Sequence, residues 1–80
     1  MKHGEGDRVR VKGWYDMVEK HGLYFTGDID IGDKLLFTVD MSRFCHEVVT
    51  ISIITDWGYE ILEDDGDNIW TDEMFEGKVN

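Results

Sequence analysis

Cys45-His46 is the one place where this chain sets a thiol directly beside an imidazole, the raw material of a nucleophile and its base. Such a pair works only when the base reaches the thiol and a third group orients the base. Neighbouring residues usually point in different directions, and no orienting group is evident. Cys45 also follows Phe44 in an apolar setting, which reads as a buried structural thiol. His3 and His21 offer no ligand spacing with it. A second candidate, Asp28-x-Asp30-x-Gly32-Asp33, starts like a calcium loop. Its glycine stands one place early, and the twelfth position is Val39 rather than Glu. The run from Glu63 to Met74 fails in the same way, with Asn68 at the glycine place and Met74 last. Both stretches read as turns. No cofactor, metal or catalytic constellation is expected, and the chain reads as a non-enzyme.

Charge is the stronger signal. The net charge is −10, and from Asp56 to Glu76 there are nine acids (Asp56, Glu60, Glu63, Asp64, Asp65, Asp67, Asp72, Glu73 and Glu76) and no base. Three of the eight bases, Arg8, Arg10 and Lys12, alternate with Val9 and Val11 and so share one face of a strand. That stripe could meet phosphates. A chain this acidic would repel nucleic acid overall, so pairing with acids on a neighbouring strand is the expected role. The acid run could dock a basic protein surface, or imitate the phosphate spacing of DNA to occupy a nuclease or repressor channel.

Ten aromatic side chains compensate for a small core. Phe37, Phe44, Trp70 and Phe75 are expected inside. Trp14, Tyr15, Trp57 and Tyr59 sit in or beside loops and are expected to form an exposed patch. The expected partner-binding residues are therefore Trp57 and Tyr59 as apolar anchors, with Asp64, Asp65 and Asp67 as the charged contacts. The expected partner is a basic protein. Mimicry of DNA and nucleic-acid binding through the first strand are the alternatives.

These residues need elements to hold them. Residues 8–12 read as a strand, and Trp14 to His21 as a short helix with Trp14, Met17, Val18 and His21 on one face and Gly22 closing it. Residues 22–33 are Gly- and Asp-rich and read as a long loop. Lys34 to Val39 alternates, with Leu35, Phe37 and Val39 inward. Asp40 is placed to cap a single turn over Met41 to Cys45. Glu47 to Ile54 is the strongest strand and reads as central, with Val49, Ile51 and Ile53 on one face. Thr55 to Gly58 turns the chain and Tyr59 to Glu63 returns it. Asp65-Gly66 makes a turn, Ile69-Trp70 a brief strand, and Thr71 caps a last helical turn from Asp72 to Phe75.

About five short strands with short helical turns in one 80-residue domain specify a mainly β fold, read as a small SH3-like barrel over residues 1–80. The lone Cys45 rules out an intrachain disulfide, no apolar run approaches a membrane span, and the first five residues lack the apolar segment of a signal peptide. A cytoplasmic protein without membrane contact is expected.

Gly6-Asp7-Arg8-Val9-Arg10-Val11, Phe37-Thr38-Val39-Asp40-Met41 leading to Phe44-Cys45, Val48-Val49-Thr50-Ile51, and Trp70-Thr71-Asp72-Glu73-Met74-Phe75-Glu76 follow one another in this order. The set resembles small SH3-like proteins of tailed phages and prophages of Gram-positive bacteria, which generally lack an assigned function. The resemblance covers nearly the whole chain. Its most specific part is the closing Trp-Thr-Asp-Glu-Met-Phe segment. His46 stands where the family pattern usually has Gly. The resemblance implies an SH3-like fold and a viral origin, and it carries no active site.

Overall fold

The computed structural model describes residues 2–32 and 35–79. Arg8–Val11 form β1, with Val9 and Val11 fully buried and both arginines exposed, as alternation requires. Helix α1 spans Trp14–His21 and buries Met17. Gly22, at φ +82°, donates its N–H to the Val18 carbonyl at 2.8 Å and ends the helix there. At eight residues, α1 is too short and too polar to cross a membrane, and no other described helix crosses one.

β4 (Val48–Ile54) is central, as its apolar character demands. The larger sheet runs β5 (Tyr59–Ile61), β4, β1, β6 (Phe75–Lys78), with all pairings antiparallel. Register sets Val9 opposite Val49 and Val11 opposite Phe75, so one face of β1 meets buried residues from both sides. A second, two-stranded sheet pairs β2 (Ile29–Gly32) with β3 (Leu35–Phe37). The protein is thus mainly β. Its described residues form six strands in two antiparallel sheets, one helix and three short 3₁₀ turns, at Asp40–Phe44, Leu62–Asp64 and Asp72–Met74. The described ladders do not join into one closed barrel.

Several expectations need correction. The segment read as a loop contains β2. Its Ile29 and Ile31 have strand spacing, obscured by the surrounding Gly and Asp, and Ile29 is fully buried. Residues 33 and 34 lie outside the described residues, so the expected start of the third strand at Lys34 is not addressed. β6 is concealed in the sequence because Phe75 reads as the end of a helical turn. Its pairing with β1 comes from backbone groups, which leave no hydropathy pattern. Ile69-Trp70 contributes one bridge, Tyr59 to Trp70, rather than a strand. Val39 is 58% exposed because it lies past the end of β3, and Ile53, within β4 and opposite Glu60, is 49% exposed where a register irregularity between Ile51 and Ile53 breaks the alternation. Neither Asp40 nor Thr71 caps its turn through its side chain. Asp40 sits inside the first turn, and the Met41 N–H is taken instead by Thr38, through its carbonyl at 3.0 Å and its hydroxyl at 3.3 Å.

The core is one contiguous cluster. Trp70 lies flat against Phe75, with ring centroids 6.0 Å apart, and meets Phe37 and Phe44 edge-on at 5.8 and 5.7 Å. Phe37, Trp70 and Phe75 are buried as expected, and Phe44 packs half-buried against them. His46 takes φ +68°, a conformation that favours glycine, so the turn is kept with histidine in it. Its N–H reaches the Val11 carbonyl at 2.9 Å and its own carbonyl accepts from Arg10 at 2.9 Å, two bonds that hold the strained residue in place.

Candidate functional site

The turn joining β4 to β5 places Trp57 at the surface. Thr55 organises it: the Thr55 hydroxyl donates to the Gly58 carbonyl at 3.0 Å and accepts from the Trp57 and Gly58 N–H groups at 3.2 and 3.1 Å. The Thr55 N–H closes the same turn on the Gly58 carbonyl at 2.7 Å. Gly58 must be glycine, because a Cβ there would run into the Trp70 carbonyl oxygen. Two backbone bonds between Tyr59 and Trp70, at 2.7 and 2.8 Å, bring the two segments together. The turn is therefore rigid, and it presents an indole that is 73% exposed.

The same Tyr59–Trp70 bridge carries Thr71, Asp72 and Glu73 alongside Trp57. Together with Leu35, Asp56 and Gly58 they line an open groove of about 270 Å³. Asp56 and Glu73 are exposed, and no basic side chain stands among the described lining residues. Among the described residues no three His, Cys, Asp or Glu converge as a metal ion would need. The groove thus sets one exposed indole beside three carboxylates, those of Asp56, Asp72 and Glu73. Thr71 lies 91% buried, being 9% exposed, and its hydroxyl oxygen has no hydrogen-bond partner among the described residues.

Two of the expected contact residues are buried instead. Tyr59 is fully enclosed, because β5 alternation turns it inward with Ile61. Its hydroxyl donates to Asp72 Oδ1 at 2.6 Å and accepts the His3 N–H at 3.0 Å. Burial first, and then the Asp72 carboxylate, push the phenol up to about 12. The incoming chain completes this latch. The Lys2 N–H reaches both Asp72 oxygens at 3.3 Å, and the His3 ring packs against Tyr59 and Phe75 with centroids 5.9 and 5.8 Å away.

Asp64 is the other correction, at 3% exposure. The 3₁₀ turn rolls it inward, where it accepts hydrogen bonds from Trp70 Nε1 at 2.9 Å, Asn68 Nδ2 at 3.1 Å and the Gly66 N–H at 3.1 Å. It ties the 62–68 loop to the largest core side chain. Asp65 and Asp67 are exposed, with Asp65 at φ +57° and Gly66 at φ +77°, the turn conformation their types favour.

In the sequence, Asp72 and Glu73 are two of the nine acids of the Asp56 to Glu76 run and are not singled out, and Thr55 is only part of a turn. The signals present are a Thr opening a Thr-Asp-Trp-Gly turn, and acids two and three places after the Trp70 that pairs with Tyr59. Placing them together requires that pairing.

The remaining candidates resolve plainly. Cys45, expected to be buried, is half-buried and packs on the core, and its desolvation raises the thiol above its ordinary value. Among the described residues no carboxylate lies within ion-pair distance of Arg8, Arg10 or Lys12, so the expected cross-strand pairing does not form. The reason is register: Val48 and Thr50 face the arginines from β4, and Gly77 faces Arg10 from β6. Arg10 bonds the His46 carbonyl instead. Trp14, expected at the surface, is half-buried and packs against Phe37 at 6.0 Å, whereas Tyr15 is 85% exposed. Tyr15 and Trp14 line a second, more apolar groove with Val39, Cys45 and His46. The Val39 N–H, bonded to Asp28 at 3.0 Å, brings the loop carrying exposed Tyr24 and Phe25 alongside.

Compared with known proteins, the chain matches no family model, no curated protein and no solved structure.

Proposed function

We propose that this protein is a non-enzymatic interaction module of the phage-encoded SH3-like type, which binds a basic segment of a host or phage protein. The contact surface is the groove between the Thr55–Gly58 turn and the Asp72–Met74 turn, with Trp57 as anchor and Asp56 and Glu73 as charged contacts. The observation that carries this reading is the pairing of a 73% exposed tryptophan with flanking carboxylates in a chain of net charge −10. A turn whose backbone is already hydrogen-bonded loses little further backbone entropy when its tryptophan binds, which suits an interface anchor. Asp65 and Asp67 add to the long-range field that draws a cationic partner in, while Tyr59 and Asp64 act by holding the groove's walls.

The test is calorimetric titration with a short Lys- and Arg-containing peptide at low and high salt. Binding should weaken as salt rises, and Asp56→Asn with Glu73→Gln should weaken it more than Asp65→Asn with Asp67→Asn. Equal loss from the two pairs, or binding indifferent to salt, would place the contact elsewhere.

A further inference from the structure

We infer that two copies of this chain associate through the outer face of the larger sheet, with the β1 bases of each copy over the β5-side acids of the other. This goes beyond the proposed function and does not depend on the Trp57 groove. Arg8 and Arg10 are exposed on β1, and among the described residues no carboxylate lies within ion-pair distance of either, or of Lys12. Within one chain the stripe is uncompensated.

Acids stand on the same face, at its β5 margin. Thr50 lies directly opposite Arg8 across the β1–β4 pairing. The Thr50 N–H and hydroxyl donate to the two oxygens of Glu63, at 2.8 and 3.1 Å, which fixes that carboxylate beside β4 at the level of Arg8. Glu60 lies between the buried Tyr59 and Ile61, so alternation turns it outward. Its carboxylate sits against Gly66, where a Cβ would come within 2.7 Å of Oε1, so the Asp65-Gly66 turn belongs to the same margin. Arg43 lines a recess with Glu63, but its guanidinium sits over the Phe44 ring, 4.7 Å from the centroid.

Strand order turns this pattern into a partner. β4 lies midway between β5 and β1, and its outward side chains, Val48, Thr50 and Ser52, are small and uncharged. A two-fold axis running along β4, between two sheets packed face to face, exchanges left and right but keeps the level along the strands. It sets β1 of each copy over β5 of the other, with Arg8 at the level of the opposing Glu63. Such self-complementarity is what a two-fold contact requires. A uniform polyanion crossing the stripe would instead be repelled by Glu60 and Glu63 beside it. The net charge of −10 opposes pairing from farther away. At about 0.1 M salt the Debye length is about 10 Å, and the chain measures 20 Å along its shortest axis, so much of that repulsion is screened. Leu62, 63% exposed and adjacent to Glu63, adds apolar surface at the margin. Three short strands make a small interface, so the association is weak and concentration-dependent.

Sedimentation equilibrium of the full chain at about 0.1 M salt, from about 10 μM to about 1 mM, measures it. The mean mass should rise from 9.3 kDa toward twice that value. Arg8→Glu and Glu63→Lys should each weaken association about tenfold or more, because a two-fold contact repeats every substitution. An equimolar mixture of the two variants should associate again, since each stripe then faces a margin of opposite charge. Arg8 is exposed, so Arg8→Glu keeps the test alive if losing the Thr50 bonds unfolds Glu63→Lys. A mass fixed at 9.3 kDa overturns the proposal, as does association that Arg8→Glu leaves unchanged or a mixture of folded variants that stays monomeric. A monomer whose β1 amide signals shift on adding a single-stranded oligonucleotide would overturn it too, and assign the stripe to a polyanion.

Discussion

Replacing Asp64 tests the claim that this acid belongs to the fold rather than to a partner. Its carboxylate accepts three N–H bonds, and one of them comes from the indole of Trp70, itself fully buried. Asp64→Ala leaves that indole N–H without an acceptor, a loss of about 1–3 kcal/mol. The Gly66 and Asn68 donors are only partly buried and can turn to water, so they add roughly half as much each, giving about 2–6 kcal/mol in all. Asp64→Asn keeps one carbonyl oxygen but turns an amide donor toward donors, and should cost about 1.5 kcal/mol. With a urea slope of about 1 kcal/mol/M for a domain this small, that lowers the unfolding midpoint by roughly 1.5 M. Urea unfolding followed by tryptophan fluorescence measures it, with Asp65→Asn and Asp67→Asn as controls expected within about 0.5 kcal/mol of the parent. If Asp64→Asn unfolds at the same urea concentration as those controls, Asp64 does not tie the 62–68 loop to the core.

The alkaline limb of stability should belong to Tyr59. Its folded pKa of about 12 exceeds the unfolded value of about 10, so its contribution is complete below about pH 10 and fades as pH rises toward 12. Tyr59→Phe should flatten that limb in a thermal-melt series, and an unchanged slope would refute the assignment. Gly58→Ala forces a methyl into the Trp70 carbonyl and should destabilise by about 1–3 kcal/mol, read as a lowered melting temperature. A neutral result would mean that the turn is looser than its hydrogen bonds imply. Arg8→Gln with Lys12→Gln should change stability by less than about 0.5 kcal/mol in the same melts, since neither side chain has a carboxylate partner among the described residues.

How far the sequence reveals this molecule depends on whether a feature is local. The alternation of Val9 and Val11, the helix face of Trp14 to His21 with Gly22 behind it, and the apolar run of β4 are local patterns, and each maps onto its element. β6 is hidden because an edge strand joins by backbone hydrogen bonds, and Phe-Glu-Gly-Lys has no alternation to show. Tyr59 and Asp64 are misjudged for a related reason. Tyr59 abuts the Trp57-Gly58 turn, which masks its alternation with Ile61, and the polar partners of Tyr59 and Asp64 stand at positions 72 and 70, which only the fold brings to them. Trp57 is legible as exposed because it lies within a turn. Its companions Glu73 and Thr71 are not, since the Tyr59–Trp70 bridge that delivers them is a single pairing between two short segments.

The indole N–H resonances of the three tryptophans offer the sharpest comparison, because Trp57 is exposed, Trp14 half-buried beside the other groove, and Trp70 fully buried. A two-dimensional ¹H–¹⁵N spectrum recorded while an arginine-containing peptide is added should show the Trp57 indole signal moving progressively, with Trp14 and Trp70 fixed. Movement of Trp14 with Trp57 still would assign the basic partner to the other groove and contradict a binding site at Trp57.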